Sequence, residues 1–282
     1  MKLDSKPRPS PIAGQWYPAD PARLAASIDS YLEACSPVHL SGEVVAVMAP
    51  HAGHIYSGQV AAYAFKSLSG LPVDLAAVVA PMHHPYREPL LTTAHTAYRT
   101  PLGDAFVDQQ ALSELDAALN DKLGFGLTPV TQDPEHSLEI EIPFLQRVLP
   151  PGFKLLPVMV RDQRANVARS LGVALAQVVR GRRATLVAST DLSHFYSHST
   201  ARLLDSEILK EVESFDPEGV LKAEQEGRGF ACGKAALAAV MWAAIDLGAT
   251  RAVVLHYATS AEVSGDYGQV VGYAAAAFLR ES

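Results

Sequence analysis

The chain has 282 residues, 49% of them hydrophobic, and a formal net charge of −7, which together suit one α/β domain. Nucleic acids and anionic membranes require clustered positive charge in a partner. This acidic chain has no block of Lys or Arg, so we expect neither interaction. With two cysteines a disulfide framework is implausible, and the first residues lack the apolar segment of a secretory signal. These features predict a cytoplasmic protein.

The amino-terminal region is expected to begin with a flexible lead, residues 1–14, which precedes a single domain of residues 15–282. Asp20 and Pro21 suit the N-cap and the first turn of a helix predicted over 22–34. No Ser/Gly-rich or Pro-rich linker divides the rest of the chain, so we expect one continuous core.

Three apolar runs predict buried parallel strands, and each run is followed by polar side chains. The runs and the residues that follow them are 44–49 with His51, 74–82 with His83 and His84, and 185–190 with Asp191 and His194. Open α/β sheets bind ligands where the carboxyl ends of their strands meet. The sequence therefore predicts a shared site at this edge of the sheet.

The remaining elements alternate between helix and strand. Further helices are predicted over 58–68, 108–120, 164–179, 201–213, 217–225 and 233–247, and further strands over 154–160, 252–259 and 269–279. The segment 98–104 is expected to be a turn-rich connection. The segment 134–142 is expected to be a helix with Pro134 in its first turn and an interruption at Pro143. This alternation predicts an α/β fold with a mostly parallel sheet covered by helices on both faces.

Histidine, carboxylate and cysteine side chains are the candidates for chemistry, because imidazole, carboxylate and thiolate groups bind first-row transition metals. They are His51, His54, His83, His84, His136, Asp191, His194 and Cys232. Any one of these histidines could be a hydrogen-bonded structural residue, but the polar residues that follow three separate predicted strands favour a shared site. The nucleophile elbow, P-loop, dinucleotide-binding and zincin motifs are absent from the sequence.

Three further features each have two interpretations. Cys232 precedes a predicted helix and Lys234, both of which would favour the thiolate; alternatively it is a small buried hydrophobe. Glu135 and Glu139 are either paired acids on one helix face or a solvated helix start. Trp16 either lines a pocket or covers the edge of the sheet.

Several short segments resemble one known family. They are Ala49-Pro50-His51-Ala52-Gly53, Pro81-Met82-His83-His84, Tyr98-Arg99-Thr100-Pro101-Leu102, Glu135-His136-Ser137-Leu138-Glu139, Ser189-Thr190-Asp191-Leu192-Ser193-His194 and Cys232-Gly233. Together they are similar to the MEMO family, which includes the prokaryotic proteins called AmmeMemoRadiSam system protein B. The resemblance spans nearly the whole chain.

The resemblance implies a fold like that of the class III extradiol dioxygenases, in which two histidines and a glutamate hold non-haem iron. Carried over by position, His51 and His83 match the two histidine ligands. Cys232 falls in the metal pocket in place of the carboxylate. His194 matches the acid/base histidine, and we expect Asp191 to orient its ring. A thiolate among the ligands suits iron or copper, with zinc as the alternative.

Two functions from different classes follow. The first is a metal-dependent oxidoreductase or dioxygenase-like enzyme that acts on an unidentified small molecule, with the residues above as its metal and catalytic groups. The second is a non-catalytic binding or scaffold module whose crevice takes a peptide or protein partner. In either case, the expected pocket residues are Trp16, Tyr56, His84, Arg99 and His136.

Overall fold

A computed structural model describes residues 6–36 and 38–281. Its helices are α1 (Pro21–Ala34), α2 (His54–Lys66), α3 (Gln109–Leu123), α4 (Ile142–Val148), α5 (Ala165–Val179), α6 (His198–Glu213), α7 (Pro217–Gln225), α8 (Lys234–Asp246) and α9 (Ala261–Ser264). Its strands are β1 (Glu43–Ala49), β2 (Leu75–Pro81), β3 (Leu90–Thr93), β4 (Ala97–Thr100), β5 (Gly103–Phe106), β6 (Thr128–Val130), β7 (Lys154–Val160), β8 (Ala184–Ser189), β9 (His194–Tyr196), β10 (Arg251–Thr259) and β11 (Val270–Arg280).

The main sheet has the strand order β10-β11-β1-β8-β2-β7-β3-β6, and β9 pairs with β11. Its central strands β1, β8, β2 and β7 are parallel, whereas β11 runs antiparallel to both β1 and β10. The central strands are almost entirely buried and apolar, as expected for strands covered on both faces.

Helices cover the two faces of the sheet and form two apolar cores. Helices α3, α5, α6, α7 and α8 pack on one face, and α1, α2 and α4 pack on the other. The predicted α/β class is therefore confirmed, and the architecture is consistent with the dioxygenase-like fold that the resemblance implied. No helix within residues 6–36 and 38–281 is both long and apolar enough to cross a membrane.

Two local predictions are wrong. The segment 98–104, expected to be a turn-rich connection, contains parts of β4 and β5, which pair as an antiparallel hairpin. The segment 134–142 is not a continuous helix: a short 3-10 turn, Glu139–Glu141, precedes α4. Pro143 lies in the first turn of α4 and does not interrupt a helix, because that turn leaves backbone N–H groups unpaired in any case.

Part of the segment predicted as a flexible lead packs against the domain. Residues 1–5 lie outside the described residues, but Arg8 is 1% exposed. Its backbone N–H donates to the Ala97 carbonyl at 2.7 Å, and its guanidinium pairs with Asp133 and Glu139. The acidic partners are more than 100 residues away in the sequence, so local patterns could not predict this packing.

Candidate metal centre

Neighbouring strands β1, β8 and β2 deliver polar residues to one edge of the sheet. Ala49 of β1 lies beside Ser189 of β8 in register, so the carboxyl ends of these two strands coincide. His51, Asp191 and His83 each lie two residues beyond the end of their strand. Because these strands are parallel neighbours, the three residues that follow them lie close together.

A third histidine, from the loop before the 3-10 turn, completes a cluster with two of these residues. One ligand atom from each of His51, His83 and His136 lies within 4.8 Å of the other two. The ring centroids are 5.3 Å apart for His51 and His83, and 4.9 Å apart for His83 and His136. Imidazole is a preferred ligand of zinc, copper and iron, so this donor set fits a transition metal. Cys232, the third ligand implied by the resemblance, lies beside this cluster and not within it.

Glu135 orients two of the three rings. Its carboxylate accepts hydrogen bonds from the backbone N–H of His83 at 2.6 Å and from Nδ1 of the same residue at 2.8 Å. The N–H groups of His136 and Ser137 donate to Oε1, each at 3.0 Å, and Nδ1 of His136 lies 3.2 Å from the same oxygen. A proton held on Nδ1 of His83 leaves its Nε2 as the free nitrogen for a ligand.

The carboxylate of Glu135 is ionised although it is buried. Burial opposes its charge, but a hydrogen bond and electrostatic attraction from the His83 ring, together with the N–H of Ser137, hold the pKa of this carboxyl well below its usual range. A carboxylate that accepts several N–H groups is stabilised in this way.

His51 is oriented by different groups. Its Nδ1 lies 2.9 Å from Oγ of Ser189, which in turn lies 2.7 Å from the Ser137 carbonyl and 2.6 Å from Oε1 of Glu141. Burial raises the pKa of the Glu141 carboxyl well above its usual range, and the charge of Asp191 raises it further. The ring of His51 is therefore held through a hydroxyl group backed by a neutral acid.

Burial favours the uncharged form of two of the clustered histidines, His51 and His136. Burial lowers the pKa of His51 well below its usual value, and the imidazoles of His136 and His83 lower it further. Burial also lowers the pKa of His136 to about 4, although the charge of Glu135 opposes this shift. Because neutral imidazole is the form that binds a metal, both rings are ready to act as ligands at neutral pH.

Cys232 contacts the cluster through one histidine. Its Sγ lies 3.1 Å from Nε2 of His51 and accepts the backbone N–H of Asp191 at 3.3 Å. A Cβ on Gly233 would lie 2.4 Å from the Ser189 carbonyl, so a glycine allows this close approach. The expectation of a thiolate is not supported, because burial and the charge of Asp191 raise the pKa of the thiol. Lys234 forms an ion pair with Glu224 instead, with Nζ 2.5 Å from Oε1.

Asp191 does not orient His194, which corrects the sequence interpretation. Its Oδ1 accepts the backbone N–H of His51 at 2.8 Å, so it fixes the turn after β1, and burial raises the pKa of this carboxyl to about 7. The ring of His194 is held by the Leu192 carbonyl, 2.8 Å from Nδ1. A proton on Nδ1 leaves Nε2 of His194 free to accept a proton.

A cavity of about 310 Å³ adjoins the cluster, with His194 and Cys232 in its lining. The aromatic rings of Tyr196 and Phe230 also line it and stack with centroids 5.9 Å apart. The cavity therefore combines an apolar wall with a histidine that can move a proton.

Comparisons with known proteins agree with the motifs in the sequence. The sequence model of the Memo family, described as Memo-like protein, matches residues 8–277. The chain belongs to the Memo family. Its relatives include a MEMO1 family protein of Nitrosopumilus maritimus, 33% identical over 272 residues that cover 95% of this chain and 98% of the relative. Another is a MEMO1 family protein of Methanopyrus kandleri, 35% identical over 281 residues, with the same two coverages.

Among the pocket residues predicted for this Memo family chain, His136 is in the cluster itself, and the tilted ring of Trp16 packs against it, with ring centroids 4.1 Å apart. His84 is close enough for its charge to lower the pKa of His136. Tyr56 is 44% exposed. Arg99 lies on the β4–β5 hairpin, where its guanidinium donates two hydrogen bonds to the Asp104 carboxylate, each at 2.8 Å. Arg99 therefore serves as a structural ion pair.

Sequence reasoning missed the groups that hold the histidines. The sequence predicts Glu135 at the start of a helix, either paired with Glu139 on one face or solvated, but in the structure its carboxylate accepts the N–H groups of the two residues that follow it. Ser189 is the polar last residue of a buried and mostly apolar strand, and that contrast was the available signal. Nothing local indicates the Leu192 carbonyl as the partner of His194.

Proposed function

We propose that this Memo family protein binds a transition metal through His51, His83 and His136 and uses it in redox or dioxygenase-like chemistry on a small molecule. The observation that carries the proposal is the convergence of three imidazoles whose Nδ1 atoms each face a hydroxyl or carboxylate oxygen. Metal-binding histidines are typically held in this way.

The surroundings of the cluster favour iron or copper, with zinc as the alternative. Imidazole suits all three metals, and a nearby sulfur favours the softer ones. Cys232, 3.1 Å from Nε2 of His51, supplies that sulfur. When bound, the metal would supply Lewis acidity and, for iron or copper, one-electron chemistry.

The chain's own residues would bind the substrate and move a proton. The cavity of about 310 Å³ is large enough for a small molecule. The rings of Tyr196 and Phe230 offer a face for an apolar or aromatic group. Nε2 of His194 would take up or deliver a proton, since the Leu192 carbonyl fixes the proton of its other nitrogen.

A binding role for a peptide or protein partner is the second candidate. The observation in its favour is the exposure of large apolar side chains that follow site residues in the sequence: Tyr56, in the first turn of α2 after His51, is 44% exposed, and Phe195, next to His194, is 70% exposed. Exposed apolar side chains at a crevice are typical of interaction sites. A partner that binds the His83→Ala variant as tightly as wild type would favour this role.

Metal content tests the first candidate. We propose a reducing cytoplasmic setting because Cys35 and Cys232 are both free. The protein should therefore be purified without oxygen or chelators and analysed for bound metal. We expect stoichiometric metal in the wild type and its loss in His83→Ala and His136→Ala.

Two further variants complete this experiment. His84→Ala is the matched control, because it removes the histidine adjacent to His83 and leaves the cluster intact, so it should retain the metal. Cys232→Ser should weaken binding less than His136→Ala, since Cys232 lies beside the cluster. Wild-type protein that stays metal-free after addition of Fe(II), Cu(I) and Zn(II) would refute the proposal.

A further inference from the structure

Arg8 has one of the largest fully buried side chains in the described part of the chain, at 1% exposed. Its guanidinium pairs with the carboxylates of Asp133, 2.8 Å from Nε, and of Glu139. Its Nη2 donates to two main-chain carbonyl oxygens, at 3.0 Å to Asp133 and 2.6 Å to Glu135. A guanidinium is suited to this use, because its planar fork presents five donors in fixed directions.

The contacts of Arg8 converge on the loop that carries Glu135 and His136. Oδ1 of Asp133 accepts the N–H of Glu135 at 2.9 Å, so the arginine and the aspartate together fix the main chain of Glu135 on both sides. Glu135 then binds His83 and lies against His136. A continuous set of hydrogen bonds therefore runs from the amino-terminal segment to the two histidines.

The same amino-terminal segment reaches the cluster at a second point. The indole of Trp16 lies against the imidazole of His136, with ring centroids 4.1 Å apart. The carbonyl of Trp16 accepts the N–H of His54 at 2.8 Å, and the carbonyl of Arg8 accepts the N–H of Arg99 at 2.9 Å. The segment 8–16 is thus fixed to the domain near both ends while it contacts the histidine loop.

We propose that Arg8 is a positioning residue for the metal centre, and that docking of the segment 8–16 holds Glu135 and His136 in the geometry that binds metal. The inference rests on the proposed metal site and adds a dependence on the amino-terminal segment. Loss of the guanidinium would release the carbonyl of Glu135, so the carboxylate that orients His83 and His136 would lose its fixed position. Metal affinity would fall even in a folded protein.

Arg8→Lys tests this inference with Co(II) as the probe, because its visible absorption reports the number and arrangement of ligands. Lysine keeps the positive charge beside Asp133 and Glu139 but cannot also donate to both carbonyl groups with a planar fork. We expect Co(II) affinity to fall about tenfold or more, with a changed absorption spectrum. Tyr17→Phe is the matched control: it removes a hydroxyl that donates to Glu139 at 2.5 Å and leaves the loop contacts intact, so its spectrum should match the wild type.

A second variant removes the buried charges together, in case a lone substitution prevents folding. Arg8→Met combined with Asp133→Asn and Glu139→Gln eliminates the ion pairs without leaving an unpaired charge, an exchange that proteins often tolerate. It also removes the donors to the carbonyl of Glu135, so a folded protein with weakened Co(II) binding and an altered spectrum supports the inference.

The outcomes separate this inference from the metal site itself. Wild-type protein that binds no Co(II) would refute both. Tight wild-type binding with unchanged affinity and spectrum in both Arg8 variants would overturn only the positioning role. Failure of both variants to fold would also overturn it, since Arg8 would then be a general requirement of the core.

Discussion

Two buried carboxyl groups, six residues apart, support opposite sides of the histidine cluster in opposite charge states. Glu135 and Glu141 are each 1% exposed, yet the pKa of Glu135 is well below the usual range and that of Glu141 is well above it. Glu135 accepts hydrogen bonds from three backbone N–H groups and one imidazole. Oε1 of Glu141 contacts Ser189, and its Oε2 has no hydrogen-bond partner among the residues described. Donors, more than depth of burial, decide which acid is ionised.

The two acids divide the metal centre into two halves, a charged half in which Glu135 supports His83 and His136 and a neutral half in which Glu141 supports His51. His83 and His136 lie against an ionised carboxylate, which raises the electron density of an imidazole and strengthens it as a ligand. His51 is held through Ser189, with a neutral acid behind it. We therefore expect the Glu135 half to be the more sensitive to substitution, for both metal binding and folding.

Glu135→Gln should have the largest effect of the variants considered. The neutral amide loses charge-assisted hydrogen bonds to His83 and to the N–H of Ser137, and it places an NH2 group against backbone donors. We expect the free energy of unfolding to fall by about 2–3 kcal/mol and Co(II) affinity to fall up to about 100-fold. Urea denaturation and Co(II) titration measure the two quantities.

Glu141→Gln is the matched control for that experiment, because the same substitution is made at a site of equal burial. A neutral acid and an amide are close in shape and charge, so near neutral pH this variant should match or exceed the stability of the wild type. Equal destabilisation by the two substitutions would contradict the difference in charge state.

The parallel core and two of the three clustered histidines could be predicted from the sequence. A continuous apolar run such as 44–49 is visible in the local sequence and predicts a buried parallel strand. Because ligands bind at the edge where parallel strands end, a histidine just after such a run is expected in the site. His136 lacks such a strand. Its loop resembles a helix start because Pro134 and Glu135 suit a first turn, and the competing use of Glu135 as an acceptor for His83 depends on a contact across 52 residues.

The contacts that orient the site were beyond prediction for the same reason. Arg8 meets Asp133 and Glu139 across more than 100 residues, and a short polar lead gives no sign of a buried guanidinium. Cys232 lies beside His51, but the protonation of its thiol depends on burial and on the charge of Asp191. These are properties of the packed structure and not of the local sequence.

Ser189→Ala should have an intermediate effect and probes the neutral half of the site. The substitution removes the group that faces Nδ1 of His51 and the contact of Oε1 of Glu141. We expect a loss of about 1–2 kcal/mol in the free energy of unfolding and about tenfold weaker Co(II) binding. The same denaturation and titration experiments apply.

Ser57→Ala is the appropriate control for this variant. Ser57 is buried like Ser189, and its hydroxyl donates to the Ala52 carbonyl at 2.9 Å, so a general cost of removing a buried hydroxyl would appear in both variants. Only Ser189→Ala should weaken Co(II) binding. Equal Co(II) affinity in the two variants would show that the serine does not orient His51.

The smallest expected effect is a difference in pH dependence between the wild type and Glu141→Gln. Because burial raises the folded-state pKa of Glu141 above its unfolded value of 4.5, the folded protein holds a proton that the unfolded chain releases. The stability that this proton contributes is fully present below about pH 4.5 and is lost as the pH rises through the raised pKa. Glutamine has no such proton.

The wild type should therefore lose stability relative to Glu141→Gln as the pH is raised from about 5 to about 8, measured as the difference between their urea midpoints at each pH. Glu33→Gln, at an exposed position, makes the same chemical change without burial, and its difference from the wild type should stay constant over this range. Parallel profiles for wild type and Glu141→Gln would mean that Glu141 is ionised when folded. The two halves of the histidine cluster would then both be supported by charged carboxylates, and the stronger effect expected of Glu135→Gln would have to come from its larger number of hydrogen bonds alone.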